Sequence, residues 1–173
     1  MTIFLFPTEL EAAPFRELRP AARVVISGVG LVATAATLAA LSREGSLQSS
    51  RVVLAGTAGT YDERVAVGEV VEVVEECCSE LPIHFRQSYA VKPSTGLRAV
   101  RSCSVHRTGG DSLGAEIENM EGAALFAMAE VLDFEACEVR AISNRVGEPF
   151  GSWRVDEAIA ALARTLITID DGE

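Results

Sequence analysis

Three polar residues of the chain stand where side chains could act on a small molecule: Glu11, Glu121 and Asn144. Glu11 comes one turn into a predicted helix, and together with Thr8 it has the spacing of a capping box. Its carboxylate therefore has two possible roles, which are to cap the helix or to accept a proton as a general base.

Glu121 stands at the head of a segment, residues 122–129, that is apolar on every side of a helix. The helix dipole alone favours an acidic residue at this place. However, an all-apolar helix is predicted to be buried, and a carboxylate enclosed at its head needs hydrogen-bond partners. Such a carboxylate can accept two hydroxyl hydrogen bonds, which suits a ribose diol.

Asn144 comes just after a predicted strand, where an asparagine either forms a turn or contacts a ligand. Two glycine turns also follow predicted strands. Residues 28–33 fit the relaxed dinucleotide-binding pattern G-x-G-x-x-A, but no acidic residue stands about 20 positions later to bind a ribose. We therefore interpret residues 28–30 and 56–59 as tight turns whose amide groups face a ligand.

Hydrophobic periodicity predicts the elements that position these residues. Strands are expected at residues 3–6, 23–26, 52–55, 65–74, 83–91, 97–105 and 136–142, and helices at residues 8–18, 31–41, 116–132 and 153–167. This alternation predicts an α/β fold, a three-layer α/β/α sandwich with a mixed central sheet. Ligands bind such sheets at the carboxyl ends of the strands, so we expect the site in the loops at residues 7–11, 27–30, 56–60, 106–110 and 143–147.

Composition limits the possible functions. The 173 residues are 49% hydrophobic and 23% charged, which predicts one globular domain spanning residues 1–173. The formal net charge of −10 makes a nucleic-acid partner unfavourable. Residues 24–41 carry no charge, but the glycines and threonines among them favour a strand and a helix over a membrane span.

The cysteine pattern predicts reduced thiols. The four cysteines form no C-x-x-C pair, so the sequence shows neither a zinc-site pattern nor a disulfide framework. We expect no metal and no cofactor. The N-terminal apolar run lacks a basic flank and ends too early for a signal peptide, which favours a cytoplasmic protein.

Five segments in the same order resemble the nucleoside phosphorylase and nucleosidase superfamily over most of the chain. They are Thr-Glu-Leu-Glu at residues 8–11, Ser-Gly-Val-Gly at 27–30, Ala-Gly-Thr-Ala-Gly at 55–59 followed by Val-Gly-Glu-Val-Val at 67–71, Asn-Met-Glu-Gly-Ala-Ala at 119–124, and Arg-Ala-Ile-Ser-Asn at 140–144. Within the superfamily the chain most resembles the futalosine hydrolases, through Thr-x-x-Glu-Ala-Ala-Pro at 8–14, Ser-Asn-x-Val-Gly-Glu at 143–148 and Trp153.

The resemblance implies an enzyme that cleaves an N-ribosidic bond, and it implies a role for each matching residue. Glu11 would activate water and Asn144 would face the N7 edge of the purine. Glu121 would hold the ribose hydroxyls, Met120 would pack on the sugar, and Ala58, Gly59 and Ser143 would line the substrate pocket. Relatives are usually homo-oligomers, so a second copy of this chain is the expected partner.

Asn144 bears on the substrate. Methylthioadenosine and adenosylhomocysteine nucleosidases resemble this chain but carry aspartate at the matching position. An asparagine amide can instead donate to O6 or N7 of a purine, which favours a 6-oxopurine leaving group. The resemblance therefore implies release of hypoxanthine from futalosine in menaquinone biosynthesis. Three alternatives stay open, which are another purine nucleosidase, a nucleoside phosphorylase and a catalytically decayed nucleoside-binding module.

Three further residues have weaker claims to the site. Arg145 could contact an acidic group of the substrate, whereas His84 and His106 are expected to be solvated or core histidines. The chain is also short for the superfamily, and the motif order places the shortfall between residues 71 and 97. Residues 77–96 would then be a curtailed substitute for a segment that borders the pocket in relatives.

Overall fold

The structure is a computed structural model, and it describes residues 1–132 and 134–170. Its strands are β1 (Thr2–Phe6), β2 (Arg23–Ile26), β3 (Arg51–Thr60), β4 (Val70–Cys78), β5 (Ser88–Ala90), β6 (Arg98–Ser104), β7 (Ile117–Asn119) and β8 (Glu135–Arg145). Its helices are α1 (Glu9–Leu18), α2 (Leu31–Arg43), α3 (Gly122–Leu132) and α4 (Val155–Asp170). None of the helices in these two ranges is both long and apolar enough to cross a membrane.

The eight strands join in one mixed sheet, as predicted. β2, β1, β3 and β8 are neighbours in that order and run parallel, and β4 pairs antiparallel with β8. β6 continues from β4 in parallel, and the short β7 pairs with both β6 and β3. The strands β3, β8, β4, β6 and β7 therefore form a closed ring of hydrogen-bonded neighbours, a closure that the sequence does not reveal.

Helices cover the sheet on both faces, which confirms the three-layer α/β/α arrangement. α2 packs against α3, and α1 packs against α4. Each helix pair has its own apolar core. Leu38 of α2 and Leu125 of α3 belong to one core, whereas Phe15 of α1 and Leu162 of α4 belong to the other. All four side chains are fully buried.

Three element predictions near the cleft are wrong. Of the loop expected at residues 143–147, residues 143–145 belong to β8, which continues to Arg145. Residues 56–60 form the end of β3 rather than a loop, because they continue to pair with β8 across a register shift between Ala58 and Gly59. Residues 116–121 are not helical, because residues 117–119 form β7 and the helix α3 begins only at Gly122. In all three cases pairing with distant strands overrides the local pattern.

Two other predictions need correction. The strand expected at residues 83–91 is reduced to β5, which follows a 3₁₀ turn at Ile83–Phe85. The strand expected at residues 65–74 begins later, at Val70, and extends to Cys78. Neither change affects a residue that the sequence assigns to the site.

Candidate active site

A cleft of about 350 Å³ opens where β1, β2, β3 and β8 end. It receives residues from all five loop segments in which the site was expected, and the seven predicted site residues all line it. These seven are Glu11, Ala58, Gly59, Met120, Glu121, Ser143 and Asn144. The cleft is thus where the chemistry of this chain is to be sought.

Glu11 is anchored at one wall of the cleft by both carboxylate oxygens. Its Oε1 accepts hydrogen bonds from the backbone N (2.9 Å) and Oγ1 (3.0 Å) of Thr57, and its Oε2 accepts from Thr8 Oγ1 (2.7 Å). Thr8 also caps helix α1 by accepting from the backbone N of Glu11. Only half of the predicted capping box forms, because the Glu11 carboxylate turns towards β3. It is 8% exposed, so a water in the cleft can still reach it.

Glu121 immediately precedes helix α3 and is 3% exposed. Its Oε1 accepts from the backbone N of Gly30 (2.9 Å), and its Oε2 accepts from Arg140 Nη1 (3.1 Å). The glycine turn at residues 28–30 therefore binds a carboxylate of the protein itself, not a dinucleotide. A carboxylate can accept about four hydrogen bonds, so Glu121 keeps capacity for ligand hydroxyls.

Asn144 lies in the last residues of β8 and is 2% exposed. Its Oδ1 accepts from Ser143 Oγ (2.8 Å), and one N–H of its Nδ2 donates to the carbonyl of Arg145 (3.0 Å). The carbonyl of Arg145 can only accept, so it fixes which end of the amide is Nδ2, and the Ser143 hydroxyl, which also lies 3.3 Å from the carbonyl of Ala58, is compatible with this orientation. The second N–H of Nδ2 is left to donate to an acceptor in the cleft.

Gly59 lets β3 approach Asn144 closely. A Cβ at this position would lie 3.1 Å from Asn144 Nδ2 and 3.2 Å from a methyl carbon of Val146, both tighter than ordinary contact. Glycine is required here for space, since its φ is not positive. The register shift at Ala58 and Gly59 and the missing side chain together make room for the amide.

Arg140 is 1% exposed and connects the buried polar groups beneath the cleft. It donates from Nε to Glu138 Oε1 (2.7 Å), from Nη1 to Glu121 and from Nη2 to Asn119 Oδ1 (3.0 Å). Burial by itself would lower the pKa of Arg140, but the carboxylates of Glu138 and Glu121 raise it, so the guanidinium stays charged. Sequence reasoning quoted Arg140 within a motif but gave it no role.

Glu118 is a residue of the cleft that the sequence analysis did not assign. It is 4% exposed and accepts hydrogen bonds from Tyr61 Oη (2.5 Å), from Thr108 Oγ1 and from the backbone N of Gly109. Burial, and then the hydrogen bond to Glu118, raise the pKa of Tyr61. The position of Glu118 directly before the Asn-Met-Glu motif was the sequence signal that could have assigned it to the site. However, its strand, β7, was predicted to be helix.

Other candidates do not reach the cleft. Arg145, His84 and His106 do not line it, and the His106 side chain is 64% exposed beside Glu80. The described residues that line the cleft include three glutamates but neither lysine, arginine nor histidine. No described residue of the 77–96 segment lines the cleft. The four cysteines are free thiols.

Comparison with known proteins identifies relatives over nearly the whole chain. No family model matches it. A futalosine hydrolase from Thermus thermophilus is 30% identical, in an alignment that covers 96% of this chain and 93% of that protein. The alignment spans 213 positions, more than the 173 residues here, so the relative carries segments without a counterpart in this chain.

Solved structures share the fold. The 5'-methylthioadenosine/S-adenosylhomocysteine nucleosidase of Helicobacter pylori has a TM-score of 0.88 at 14% identity, covering 99% of this chain and 98% of that one. The futalosine hydrolase of the same organism has a TM-score of 0.88 at 14% identity, covering 99% and 97%. The 5'-methylthioadenosine nucleosidase of Arabidopsis thaliana has a TM-score of 0.83 at 18% identity, covering 99% and 94%.

These structures establish the fold, and the Thermus thermophilus relative establishes the family. The chain belongs to the futalosine hydrolases of the nucleoside phosphorylase and nucleosidase superfamily, and it is an N-glycosyl hydrolase.

Proposed function

We propose that this enzyme hydrolyses the N-ribosidic bond of futalosine and releases hypoxanthine, as a step of menaquinone biosynthesis. The observation that carries the proposal is the meeting of Glu11, Glu121 and Asn144 in one cleft without a cationic lining residue among those described. The three side chains correspond to the three tasks of the reaction. These are to activate water, to hold the ribose and to stabilise the departing purine.

Glu11 is the proposed general base. Its two oxygens are held by Thr8 and Thr57, so the carboxylate has a fixed position and needs no reorganisation during the reaction. Water loses a proton to Glu11 as its oxygen forms a bond to C1' of the ribose. The bond from C1' to N9 breaks, and its electron pair leaves with the purine. The sugar passes through an oxocarbenium-like state, as in glycoside hydrolysis.

Glu121 is the proposed ribose-binding residue, and Met120 lines the cleft beside it. The carboxylate is held by Gly30 and Arg140, and it would accept hydrogen bonds from the two ribose hydroxyls. Its negative charge would also stabilise the positive charge that develops on the sugar. Ala58, Gly59 and Ser143 complete this part of the lining.

Asn144 is the proposed contact to the leaving base. With one N–H of Nδ2 bound to the carbonyl of Arg145, the other N–H donates to O6 or N7 of the purine. A 6-oxopurine can spread the negative charge of the departing base onto O6, where such a donor stabilises it. This geometry favours hypoxanthine as the leaving group.

Hydrolysis is favoured over phosphorolysis by the charge of the cleft. Glu11, Glu118 and Glu121 line it, and no described lining residue is cationic. A phosphate anion would be repelled there, and the lining that the structure describes offers it neither arginine nor lysine. Water, which is neutral, is the co-substrate that this lining accepts.

Methylthioadenosine or adenosylhomocysteine hydrolysis is the second candidate, because solved nucleosidases of that type share the fold. The amide of Asn144 argues against it, since an adenine presents an amino donor where hypoxanthine presents O6. A decayed binding module is disfavoured by the retained and anchored carboxylates of Glu11 and Glu121.

The test is to incubate the protein with futalosine, aminodeoxyfutalosine, inosine and methylthioadenosine, and to separate the released bases by chromatography. We expect hypoxanthine from futalosine at the highest kcat/KM. Glu121→Gln should abolish turnover and leave the fold intact, with Glu130→Gln at the exposed end of α3 as the matched control. Adenine release from methylthioadenosine at comparable kcat/KM would reject the assignment.

We also propose that the enzyme acts in the cytoplasm and as a homo-oligomer. Free cysteines suit a reducing compartment. Apolar side chains at the mouth of the cleft support an oligomer, since Leu10 is 63%, Val29 53% and Phe150 76% exposed. A neighbouring copy that covers them would also close the cleft.

A further inference from the structure

A group of buried charged side chains lies beneath the cleft and outside the set that the proposed reaction uses. It consists of Glu76 on β4 and of Glu138 and Arg140 on β8. None of the three lines the cleft, and each is at most 1% exposed. They connect to the cleft through Glu121, Asn119 and the carbonyl of Thr57, whose residues do line it.

The charges of this group do not balance if every carboxylate is ionised. Arg140 forms ion pairs with Glu138 (2.7 Å) and with Glu121 (3.1 Å). Among the described residues Glu76 has no hydrogen bond to a cation. Its Oε2 accepts from the amide Nδ2 of Asn119 (2.7 Å), its Oε1 accepts from the backbone N of Cys77 (3.2 Å), and Ser102 is a further neutral partner. If Glu76, Glu138 and Glu121 were all ionised, three buried negative charges would surround the single guanidinium of Arg140. This arrangement is costly, and a proton bound to one carboxylate relieves the cost.

The position of Glu138 indicates where that proton lies. Glu138 Oε2 is buried and has no hydrogen-bond partner among the described residues. It lies against Gly122 together with Glu76 Oε2, and a Cβ at residue 122 would clash with both oxygens. A proton on Glu76 directed at Glu138 Oε2 would satisfy the unpaired oxygen. A glycine at the start of α3 leaves the space in which the two carboxyl groups meet.

We propose that Glu76 is a neutral carboxylic acid that shares its proton with Glu138, and that the pair positions Glu121 for ribose binding. Glu138 orients Arg140, which donates to Glu121 Oε2. Glu76 orients Asn119, whose Oδ1 accepts from the backbone N of Glu121 (2.7 Å). The inference rests on the proposed function, because it takes Glu121 as the ribose-binding residue.

The surroundings of the pair are consistent with a retained proton. Burial, and then the charge of Glu138, raise the pKa of Glu76 well above its usual range, against the hydrogen bond from Asn119. Burial also raises the pKa of Glu138, against the charge of Arg140. The other groups that face the pair are Arg140 on β8, Cys77 on β4, Ser102 on β6, Asn119 on β7 and Glu121 before α3.

The pair predicts a definite pH dependence of stability. The folded state holds a proton that an exposed glutamate of the unfolded chain releases above its ordinary pKa. The free energy of unfolding therefore falls as the pH rises from that value through the raised pKa of folded Glu76, and it levels off above it. Glu76→Gln mimics the neutral acid and should remove this decline.

Infrared spectroscopy of the wild-type protein tests the proton directly. We expect a carbonyl stretch of a protonated carboxylic acid at pH 7 that disappears at high pH and is absent in Glu76→Gln. Glu75→Gln, a partly exposed neighbour on β4, is the control and should keep the band. Absence of the band from the wild type at pH 7, or its persistence in Glu76→Gln, overturns the proposal.

Kinetics test the positioning role. Glu76→Gln should keep wild-type kcat/KM at pH 7 and lose less activity than wild type at alkaline pH. Glu138→Gln should lower kcat/KM by about 10- to 100-fold, because Glu121 loses its fixed position. An alkaline decline in Glu76→Gln equal to that of wild type, or a Glu138→Gln variant with wild-type kinetics, contradicts the positioning role.

The two proposals fail in different ways. A protein that shows the infrared band but cleaves no nucleoside rejects the proposed function and the role of Glu121, while the shared proton stands. A protein that cleaves futalosine but shows no band rejects only the pair. Thermal unfolding between pH 5 and 9 gives a second reading, in which Glu76→Gln should gain stability over wild type as the pH rises.

Discussion

At the residue scale, the orientation of Asn144 depends on its neighbour in the chain. The Ser143 hydroxyl donates to Oδ1, and Gly59 leaves the space that Nδ2 occupies. Sequence reasoning placed these three residues in the pocket, but a sequence does not show which end of the amide meets the ligand. The carbonyl of Arg145, which can only accept, identifies Nδ2 and leaves its second N–H as the donor.

The first prediction at this scale concerns the identity of the base. Asn144→Asp replaces the N–H donor by a carboxylate, which would repel the negative charge on O6 of departing hypoxanthine. We expect kcat/KM for futalosine to fall by at least about 100-fold and the preference to shift towards 6-aminopurine nucleosides. Steady-state kinetics on both substrate types measure the ratio. An unchanged ratio removes Asn144 from base recognition.

The second prediction at this scale concerns water activation. Glu11→Gln keeps the shape of the side chain but cannot accept a proton, so kcat should fall by about 100- to 10,000-fold. Glu9→Gln is the matched control, because Glu9 lies on the same helix turn and pairs with Arg16 at the surface. The control should keep wild-type kcat. Equal activity of both variants would exclude Glu11 as the base.

At the element scale, local patterns predicted α1, α2 and α4 closely, but they placed the start of α3 six residues too early and predicted the central strands less well. α2 and α4 follow the apolar spacing that the sequence shows, because Leu38 of α2 and Leu162 of α4 each pack in a core with strand residues of β1 and β3. β3 and β7 do not, because their last residues are fixed by partners far along the chain, as Gly59 with Glu118. The candidate site was therefore predicted from loops and motifs, although residues 56–60 belong to β3 and residues 143–145 to β8.

The stability prediction concerns the buried face of helix α4. Leu162 is fully buried in the core between α1 and α4 and does not line the cleft. Leu162→Ala should lower the free energy of unfolding by about 2 to 5 kcal/mol. The change should leave kcat of the folded protein unaltered. The control is Val131→Ala, at a position 77% exposed, which should change the free energy of unfolding by less than about 0.5 kcal/mol. Denaturant unfolding measures the free energy of unfolding of both variants. An equal loss for Leu162→Ala and for the control would show that this core does not stabilise the fold.

At the scale of the whole molecule, the superfamily, the layers and the cleft could be predicted from ordered motifs and periodicity. The closure of β3, β8, β4, β6 and β7 could not, because it depends on β8 pairing on both of its edges. The cluster of buried charged side chains could not be predicted from the sequence for the same reason. Glu76 and Glu138 are 62 positions apart and meet only because β4 and β8 are neighbours.

Assembly is the prediction that belongs to the whole chain. Leu10, Val29 and Phe150 expose apolar surface at the mouth of the cleft, and we expect a second copy to cover it. Light scattering on the purified protein should give at least twice the mass of one chain. Leu10→Arg should dissociate the assembly and raise KM. A monomer with full activity would show that the cleft needs no partner.

The central claim is that the cleft uses water to cleave a 6-oxopurine nucleoside. The most direct measurement is the reaction of futalosine with the wild-type enzyme, without phosphate and with phosphate in excess, followed by analysis of both products. We predict hypoxanthine and an unphosphorylated sugar at the same rate in both conditions. A sugar phosphate, a rate that requires phosphate, or no release of hypoxanthine would contradict the account.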